Sequence, residues 1–317
     1  MFTENLYSKC LQCPRKCGVA RSKGETGFCS ETEDVRIAFA GLHFGEEPLI
    51  TVNGGSGTVF FTGCTLRCKF CQNFQISQDS LGRSVTSKEF TEICFKLQES
   101  GAENINLVTG SHHIPKIAEF IYEAKKAGIF IPFCWNSSAY ESVESLELLK
   151  GLVEIWLPDL KTLSSKLSAQ LFAADDYPLA AKSAINWMIL NNPLKIQKAT
   201  NGKEKMLSGV IIRHLYLPGK FEETANVLKF LKENADGRAC ISLMNQYTPV
   251  PAKKGKIKEF EDRLVNKTED SDIKDLIEAF DFNWLFYQEL SDDTSWLPDF
   301  TKMQPFSNKL AKSIWHC

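Results

Sequence analysis

Three cysteines in one short loop carry the strongest chemical signal in this sequence. Cys64, Cys68 and Cys71 have the spacing C-x3-C-x2-C and follow the apolar, strand-like run at residues 58–61. Cysteine thiolates are the usual ligands of iron–sulfur clusters, and a four-iron cluster needs four ligands. Because only three cysteines lie together, a cluster bound here would keep one iron open for a small molecule. The spacing therefore predicts an iron–sulfur site at which chemistry takes place.

Two other interpretations of this loop are weaker. A structural zinc site normally has four protein ligands, often as two C-x2-C pairs, and no fourth Cys or His lies close in the sequence. A disulfide framework is disfavoured because the number of clustered cysteines is odd and nothing in the sequence indicates secretion. The iron–sulfur interpretation is therefore preferred, and zinc is the main alternative.

The composition is that of an ordinary globular protein. Of the 317 residues, 43% are hydrophobic and 24% are charged, and the formal net charge is −2. This balance gives no electrostatic reason to expect nucleic acid or an acidic membrane as a partner. The sequence has no signal-peptide core and no apolar run near the ~20 residues that span a bilayer. Its 11 cysteines therefore predict metal use and a reducing, cytoplasmic location.

A second group of cysteines lies near the N-terminus, in residues 1–32. Cys10, Cys13, Cys17 and Cys29 have the spacing C-x2-C-x3-C-x11-C, and proline and glycine interrupt the segment. A segment this short cannot bury enough apolar surface to hold itself folded, so a bound metal is the natural staple. Four thiolates suit either a tetrahedral zinc ion or a second iron–sulfur cluster, and the sequence does not separate the two.

From residue 58 onward, strand-like runs alternate with amphipathic helical patterns. Thr86 and Glu89 form a capping-box pattern at the start of one helix, and Pro115 and Gly128 mark the two ends of the next. Strands are predicted at residues 58–61, 105–108, 129–133, 153–157, 210–217 and 239–243, and further helices near 142–150, 178–190 and 221–233. This alternation predicts an α/β fold with parallel strands, in which ligands gather at the strand C-termini. The cysteine loop follows the first of these strands and is expected at that edge.

The cysteine motif, with Phe70 before its last cysteine, resembles the signature of the radical S-adenosylmethionine (SAM) superfamily. The further stretches that carry the resemblance are CLQCPRKC at 10–17, INLVT at 105–109, NSSAYE at 136–141, LPDLK at 157–161, IRHLYLPG at 212–219 and LMNQYTP at 243–249. Their order is similar to that in pyruvate formate-lyase activating enzyme homologues of the PflX-like branch. The resemblance implies a partial (β/α)6 TIM-like barrel at 33–250, a cysteine-rich metal-binding head at 1–32 and a C-terminal extension at 251–317 that packs on the barrel.

The same resemblance implies two cofactors at the loop cysteines. Cys64, Cys68 and Cys71 would bind a 4Fe-4S cluster and act as catalytic residues, and the open iron would bind the amino and carboxylate groups of SAM. Reductive cleavage of SAM would give methionine and a 5′-deoxyadenosyl radical that abstracts hydrogen. The protein must bind and orient these cofactors and exclude water, which predicts cationic and hydrogen-bonding groups at neighbouring strand ends.

Three candidate residues of the SAM site are Asp159 and Lys161, which follow the fourth predicted strand, and Arg213, which lies within the fifth. Lys161, close to Asp159, matches a lysine that meets the SAM carboxylate in the activating enzymes, and Arg213 matches an arginine that faces SAM. Arg213 lies in an apolar strand, and a buried arginine needs an anionic partner such as Asp159 or a SAM carboxylate. Three histidines have no assigned role: His112, His113 and His214.

Four further residues are predicted to bind the cofactor. Many radical SAM enzymes have Gly-Gly-Glu where this chain has Thr109 and Ser111 around a glycine, so hydroxyls or backbone carbonyls would hold the SAM amino group. Asn136 follows the third strand, where activating enzymes often carry a carboxylate. Gln246 stands where related enzymes often present a histidine toward the adenosine side, and its amide can still form hydrogen bonds.

The leading interpretation is a radical SAM oxidoreductase that acts on a protein or peptide, with flavodoxin or ferredoxin as the electron donor. Glycyl-radical installation is the specific reaction that the relatives suggest. The alternative from a different class is an iron–sulfur electron-transfer or cluster-carrying protein without SAM chemistry. In that case Lys161 and Arg213 would share no anionic ligand, and the reduced protein would not cleave SAM.

Overall fold

A largely parallel β-sheet with helices between its strands forms the body of the protein. The computed structural model describes residues 6–199, 201–253, 255, 257–291, 294 and 296–317. The strands are β1 (Arg36–His43), β2 (Ser56–Phe61), β3 (Arg83–Ser84), β4 (Ile105–Val108), β5 (Phe133–Ser137), β6 (Ile155–Pro158), β7 (Lys195–Lys198), β8 (Glu204–Leu215), β9 (Cys240–Met244), β10 (Leu285–Gln288) and β11 (Ala311–His316). The helices are α1 (Phe74–Ser77), α2 (Ser87–Glu99), α3 (Ile114–Ala127), α4 (Val143–Leu146), α5 (Ser165–Phe172), α6 (Tyr177–Asn191), α7 (Phe221–Asn234) and α8 (Lys267–Phe280), and short 3₁₀ turns lie at Arg21–Lys23, Glu147–Leu149 and Pro251–Lys253.

The strand order gives an open sheet with a parallel centre. Over the part of the chain that the structure describes, the order is β10-β9-β8-β6-β5-β4-β2-β1-β11, with β3 paired to β1 and β7 paired to β8. Neighbours from β2 across to β10 pair in parallel, whereas β1 is antiparallel to both β2 and β11. Parallel neighbours need crossover connections, which the intervening helices supply. The predicted α/β class is confirmed, and the sheet does not close into a barrel because β10 and β11 stand at opposite ends.

Most of the predicted elements form close to their predicted positions. Thr86 caps α2 through reciprocal bonds with Glu89, and a left-handed Gly128 closes α3. The strand predicted at 129–133 is displaced, however, and β5 begins only at Phe133. Pro132 explains the difference because it has no N–H to donate to the ladder, so it ends the turn that follows Gly128 instead of lying within the strand.

Side chains along the central strands alternate between two faces of the sheet. On one face, large residues such as Trp135 and Trp156 are fully buried against the helices in the main core cluster. The opposite, concave face carries Asn136 and Arg213, which lie next to apolar residues of the same strands. The concave face is therefore the side of the sheet on which polar groups are available for a ligand.

Two segments outside the predicted strands and helices complete the sheet and its interior. Leu49 and Ile50, in the loop after β1, pack against Cys134 and Ile155 and cover the N-terminal end of the concave face. Strands β10 and β11 from the tail extend the two sheet edges, beside β9 and β1. The tail thus pairs with the sheet as well as packing on it. The division of the chain near residues 32 and 250 stays a prediction.

Candidate active site

One large cavity opens along the concave face of the sheet. Its volume is about 1140 Å³, and its walls come from the strand C-termini, the cysteine loop, the loop after β1 and the tail. Ligands collect at this position in parallel α/β sheets because the βα loops converge there. The predicted site residues that line the cavity are Cys64, Cys68, Cys71, Thr109, Asn136, Asp159, Lys161, Arg213 and Gln246.

An aromatic anchor fixes the cysteine loop at the C-terminal end of β2. The ring of Phe70 is buried and packs edge-on against Phe172, Tyr247 and Phe260, with centroid distances of 5.9, 6.2 and 5.8 Å. Edge-to-face pairs of this kind add about 0.5–1.5 kcal/mol each beyond the burial of area. Phe70 therefore ties the loop to segments that are distant in the sequence, and this holds the cysteines at the cavity wall.

The sulfur atoms of the loop cysteines lie in a weakly solvated environment. The Cys64 sulfur accepts a bond from the Leu66 N–H at 3.3 Å, and the Cys71 sulfur lies 3.2 Å from the Ser77 hydroxyl. Burial raises the pKa of the Cys64 thiol to about 12 and raises that of Cys68 as well, although Lys161 opposes the shift. Such thiols become good ligands when a metal displaces their protons.

The three sulfurs suit a cluster better than a single ion. A structural zinc ion needs four protein ligands, and this loop supplies three cysteines to the cavity. A multi-iron cluster binds each thiolate at a different iron, so it does not need the sulfurs gathered on one point. Three thiols on a cavity wall are therefore a donor set that would fit a 4Fe-4S cluster.

A cationic triad lines the same cavity. The Asp159 carboxylate accepts bonds from Arg213 Nε at 2.8 Å and from Lys161 Nζ at 2.7 Å, and Arg213 Nη2 donates to Asn136 Oδ1 at 2.5 Å. The three charged side chains are only 15–20% exposed. Burial alone would raise the pKa of Asp159, but the charges of Arg213 and Lys161 hold it below its usual value. Two cations and one carboxylate leave a net positive charge, which favours an anionic ligand.

The strand register positions this triad. Asp159 directly follows β6 and forms an isolated bridge with Arg213 on β8, where the Leu160 N–H donates to the Arg213 carbonyl at 2.8 Å. His214, the next residue on β8, lies on the opposite face of the strand. Its Nδ1 donates to the Leu160 carbonyl at 2.7 Å, and its Nε2 accepts a bond from the Thr224 hydroxyl at 2.9 Å. His214 is a buried packing residue that does not reach the cavity.

Ser111 is the predicted cofactor contact that the structure places elsewhere. It is only 2% exposed, does not line the cavity, and donates its hydroxyl to Glu141. The Trp135 indole donates to the same carboxylate oxygen at 3.3 Å, while the other oxygen of Glu141 has no hydrogen-bond partner among the described residues. Thr109, which does line the cavity, adopts a left-handed conformation with φ 63°, and this turn directs Ser111 behind the wall. A buried carboxylate therefore lies next to the turn at Thr109, and it belongs to Glu141 in a different loop.

Two adjacent glutamates on the cavity wall were not predicted. Glu46 and Glu47 lie in the loop after β1 and line the cavity. Burial raises the pKa of both, that of Glu47 to about 7, although Arg213 opposes the shift. His43 lies 3.7 Å from Glu46, and burial lowers the pKa of this histidine to about 4. In the sequence, the two glutamates appear only as a Gly-Glu-Glu-Pro run at 45–48. This run can be placed at the cavity only if the preceding strand β1 is recognised.

Replacing Glu47 with glutamine is expected to change how stability depends on pH. A carboxyl group whose pKa is raised by folding contributes most below its unfolded pKa of about 4.3, and this contribution is lost as the pH rises through about 7. From about pH 4 to about pH 8, the free energy of unfolding should fall by about 1–2 kcal/mol more in the wild type than in E47Q. Urea unfolding across this range measures the difference, with the exposed Glu123→Gln as a matched control. Parallel curves for wild type and E47Q would contradict the raised pKa of Glu47.

Comparison with known proteins identifies the class. Residues 58–181 match the family model of the radical SAM superfamily. Uncharacterized protein MJ0674 of Methanocaldococcus jannaschii is 30% identical over 256 residues, which cover 78% of this chain and 68% of that protein. The chain belongs to the radical SAM superfamily. Membership implies a 4Fe-4S cluster and SAM as cofactors.

One solved structure shares the fold at low sequence identity, and a second gives a weaker match. The structure of Streptococcus suis SuiB bound to precursor peptide SuiA matches with a TM-score of 0.52 and 15% identity over 72% of this chain. This chain spans about half of SuiB, since the match covers 47% of that protein. A radical SAM methyltransferase from Sphaerobacter thermophilus matches with a TM-score of 0.48 and 16% identity, over 75% of this chain and 71% of that one. Within the described residues, no helix is long and apolar enough to cross a membrane.

Proposed function

We propose that this chain is a radical SAM enzyme in which Cys64, Cys68 and Cys71 hold the 4Fe-4S cluster and the large cavity binds SAM. When bound, the two cofactors together supply reductive cleavage of SAM and a 5′-deoxyadenosyl radical for hydrogen abstraction. One observation carries the proposal: the three thiols and the cationic triad line one cavity at the strand C-termini. An electron-transfer protein would need the cysteines but not the triad.

The triad is proposed to bind the SAM carboxylate. Lys161 and Arg213 supply the positive charge, and Asp159 bonds to both, so it keeps their side chains in place before a ligand arrives. Asn136 adds a second restraint on the guanidinium. Held in this way, the cations lose little further side-chain entropy when they bind a carboxylate.

The hydrogen-bonding groups on either side of the triad complete the proposed SAM site. Thr109 and Gln246 line the cavity at the ends of β4 and β9 and offer a hydroxyl and an amide. Ser111 lies outside this proposed site, because its hydroxyl donates to Glu141 behind the cavity wall. Its proposed part is to hold the Thr109 turn through that bond.

A peptide or protein substrate is proposed, and placement in the PflX-like branch with glycyl-radical installation is its most specific form. The structural relative SuiB was solved with a bound precursor peptide. The cavity has a volume of about 1140 Å³ and is lined by the C-terminal tail as well as by the sheet. Residues beyond the cluster loop and the triad are therefore available to contact a substrate. Flavodoxin or ferredoxin is the proposed electron donor.

Anaerobic reconstitution tests the reaction. The protein is loaded with iron and sulfide, reduced with dithionite and supplied with SAM, and 5′-deoxyadenosine is measured. The expected result is a brown protein that releases 5′-deoxyadenosine only when reduced. A brown protein that releases none would favour the electron-transfer or cluster-carrying alternative.

Deuterium tracing tests the substrate class. Candidate peptides and glycyl-radical proteins labelled with deuterium are supplied to the reduced enzyme, and transfer of the label into 5′-deoxyadenosine is measured by mass spectrometry. Transfer from a peptide supports the proposal. Transfer only from labelled small molecules, with none from any peptide or protein, would contradict it.

A further inference from the structure

The N-terminal cysteines surround a second, much smaller cavity that the proposed reaction does not use. Its volume is about 10 Å³, the room needed for about one water-sized sphere. The residues that line it include Cys10, Cys13, Cys17, Cys29, Arg21, Thr65 and His112. Three of the four cysteines are buried, and Cys17 stands at the exposed side. Cysteines that are separated by up to 19 positions in the sequence thus line the same small cavity.

Two buried polar atoms of residues that line this cavity have no hydrogen-bond partner among the described residues: His112 Nδ1 and Thr65 Oγ1. Both residues are only 1% exposed. The Nε2 of His112 donates to the Thr62 carbonyl at 2.7 Å, so the Nδ1 of the neutral ring carries a lone pair. These two atoms show that the wall of the cavity is polar and is not part of a dry apolar core.

Arg21 supplies an independent indication of charge. It is 1% exposed, its guanidinium lies 3.7 Å from the Cys10 sulfur, and it also donates to the backbone carbonyl of Thr32 at 2.9 Å. Over the described residues, no carboxylate forms an ion pair with Arg21. A buried cation needs a compensating negative charge. Four thiolates around a divalent ion carry a net negative charge, which would balance this arginine.

We propose that Cys10, Cys13, Cys17 and Cys29 bind a single zinc-like divalent ion, with Arg21 as the compensating cation. The small cavity fits one tetrahedral ion, whereas a four-iron cubane needs much more room. The side chains of the described head are not yet gathered into an ion site, so binding draws the sulfurs together and couples head folding to the metal. The site is structural because all four ligand positions are filled by protein.

The head is clamped onto the loop that carries the proposed cluster ligands. Arg15 Nε donates to the Thr65 carbonyl at 2.9 Å, and Arg67 donates to the Phe28 carbonyl at 3.1 Å. The Arg15 guanidinium also stacks over the Phe28 ring at 3.7 Å. At Gly63, an added Cβ would lie 2.8 Å from the Cys29 carbonyl, so the two segments approach as closely as glycine allows. An ion at the head would therefore hold the surface against which the cluster loop packs.

Metal analysis of anaerobically purified protein tests the site. The proposed ion has only the four head cysteines as ligands. A triple variant with Cys64, Cys68 and Cys71 replaced by alanine therefore tests ion binding independently of the proposed reaction. About one zinc per chain is expected in both the wild type and the triple variant, with loss of zinc in Cys13→Ser. X-ray absorption at the zinc edge should show four sulfur ligands. Iron and sulfide in the triple variant, no bound metal, or three sulfurs with one nitrogen would each overturn the proposal.

A variant of Arg21 tests the charge argument without removing a ligand. Replacing Arg21 with methionine keeps much of the apolar stem but removes the compensating charge, and outer groups of this kind typically contribute 10–100-fold to metal affinity. Competition with a zinc chelator should therefore show affinity about tenfold weaker or more in R21M. Circular dichroism establishes that the variant is folded, and cobalt substitution reports whether tetrahedral thiolate ligation is retained. Unchanged zinc affinity in folded R21M would contradict the role of Arg21.

Discussion

Replacing Cys64, Cys68 or Cys71 with alanine is expected to reduce SAM cleavage to the level seen without enzyme. Each cysteine supplies one of three protein ligands, so losing any of them leaves a second iron without a thiolate and the cluster is not retained. Iron content and the electron paramagnetic resonance signal of the reduced protein should fall together with 5′-deoxyadenosine release. The zinc content expected from the proposed head site should be unchanged in the same samples.

Cys94→Ala is the matched control for these variants. Cys94 is fully buried on α2 in the main core and does not line the cavity, and removing its sulfur should cost about 1 kcal/mol of stability. Iron content and SAM cleavage should stay at the wild-type level. A Cys68→Ala protein that kept its cluster and its cleavage activity would show that the cluster is held elsewhere.

The parts of the site that could be predicted from the sequence are those that depend on local order. The cysteine loop directly follows β2, and Asp159 and Lys161 directly follow β6, so their place at the strand C-termini depends only on recognising each strand. The opposite orientations of Arg213 and His214 follow from the two-residue period of β8. These inferences need no knowledge of how distant segments meet.

Residues whose position depends on the pairing of distant segments could not be predicted from the sequence. Glu46 and Glu47 reach the cavity because β1 pairs antiparallel with β2 and its following loop enters the concave face, which no local pattern encodes. Ser111 lies behind the cavity wall because the left-handed backbone at Thr109 turns the chain, and a non-glycine residue rarely adopts this conformation. Glu141, which bonds Ser111, comes from another loop and gave no signal of its own.

The tail shows the same limit on a larger scale. Its aromatic residues predict burial, but not that β11 pairs with β1 or that β10 extends the other edge of the sheet. Both pairings join segments separated by tens to hundreds of residues, and the closure of such loops leaves no periodic signal. The tail residues Phe300 and Phe306 pack with Phe39 and Phe60, which links one cavity wall to the first two strands.

Replacing Arg213 with methionine is expected to weaken SAM binding at least about tenfold, equivalent to about 1.4 kcal/mol. The variant removes a cation from the triad, leaves Asp159 with Lys161 as its remaining triad partner and takes away the donor to Asn136. Lost charge-assisted bonds in a largely buried site should also lower the free energy of unfolding by about 1–3 kcal/mol. Isothermal titration of reconstituted protein with SAM and urea unfolding measure the two effects separately.

Lys161→Met should weaken SAM binding in the same direction, because either substitution makes the triad neutral. Lys232→Met is the matched control, since Lys232 pairs with Asp236 on the helix surface at 2.6 Å and lies outside the cavity lining. A surface pair of this kind contributes about 0.2–1 kcal/mol to stability and nothing to SAM affinity. If R213M and K161M lost stability but bound SAM as tightly as K232M, the triad would be a structural ion pair and the carboxylate of SAM would have to lie against other groups of the cavity. Loss of affinity in both variants, with cluster content unchanged, is the result that separates SAM binding by the triad from support of the fold.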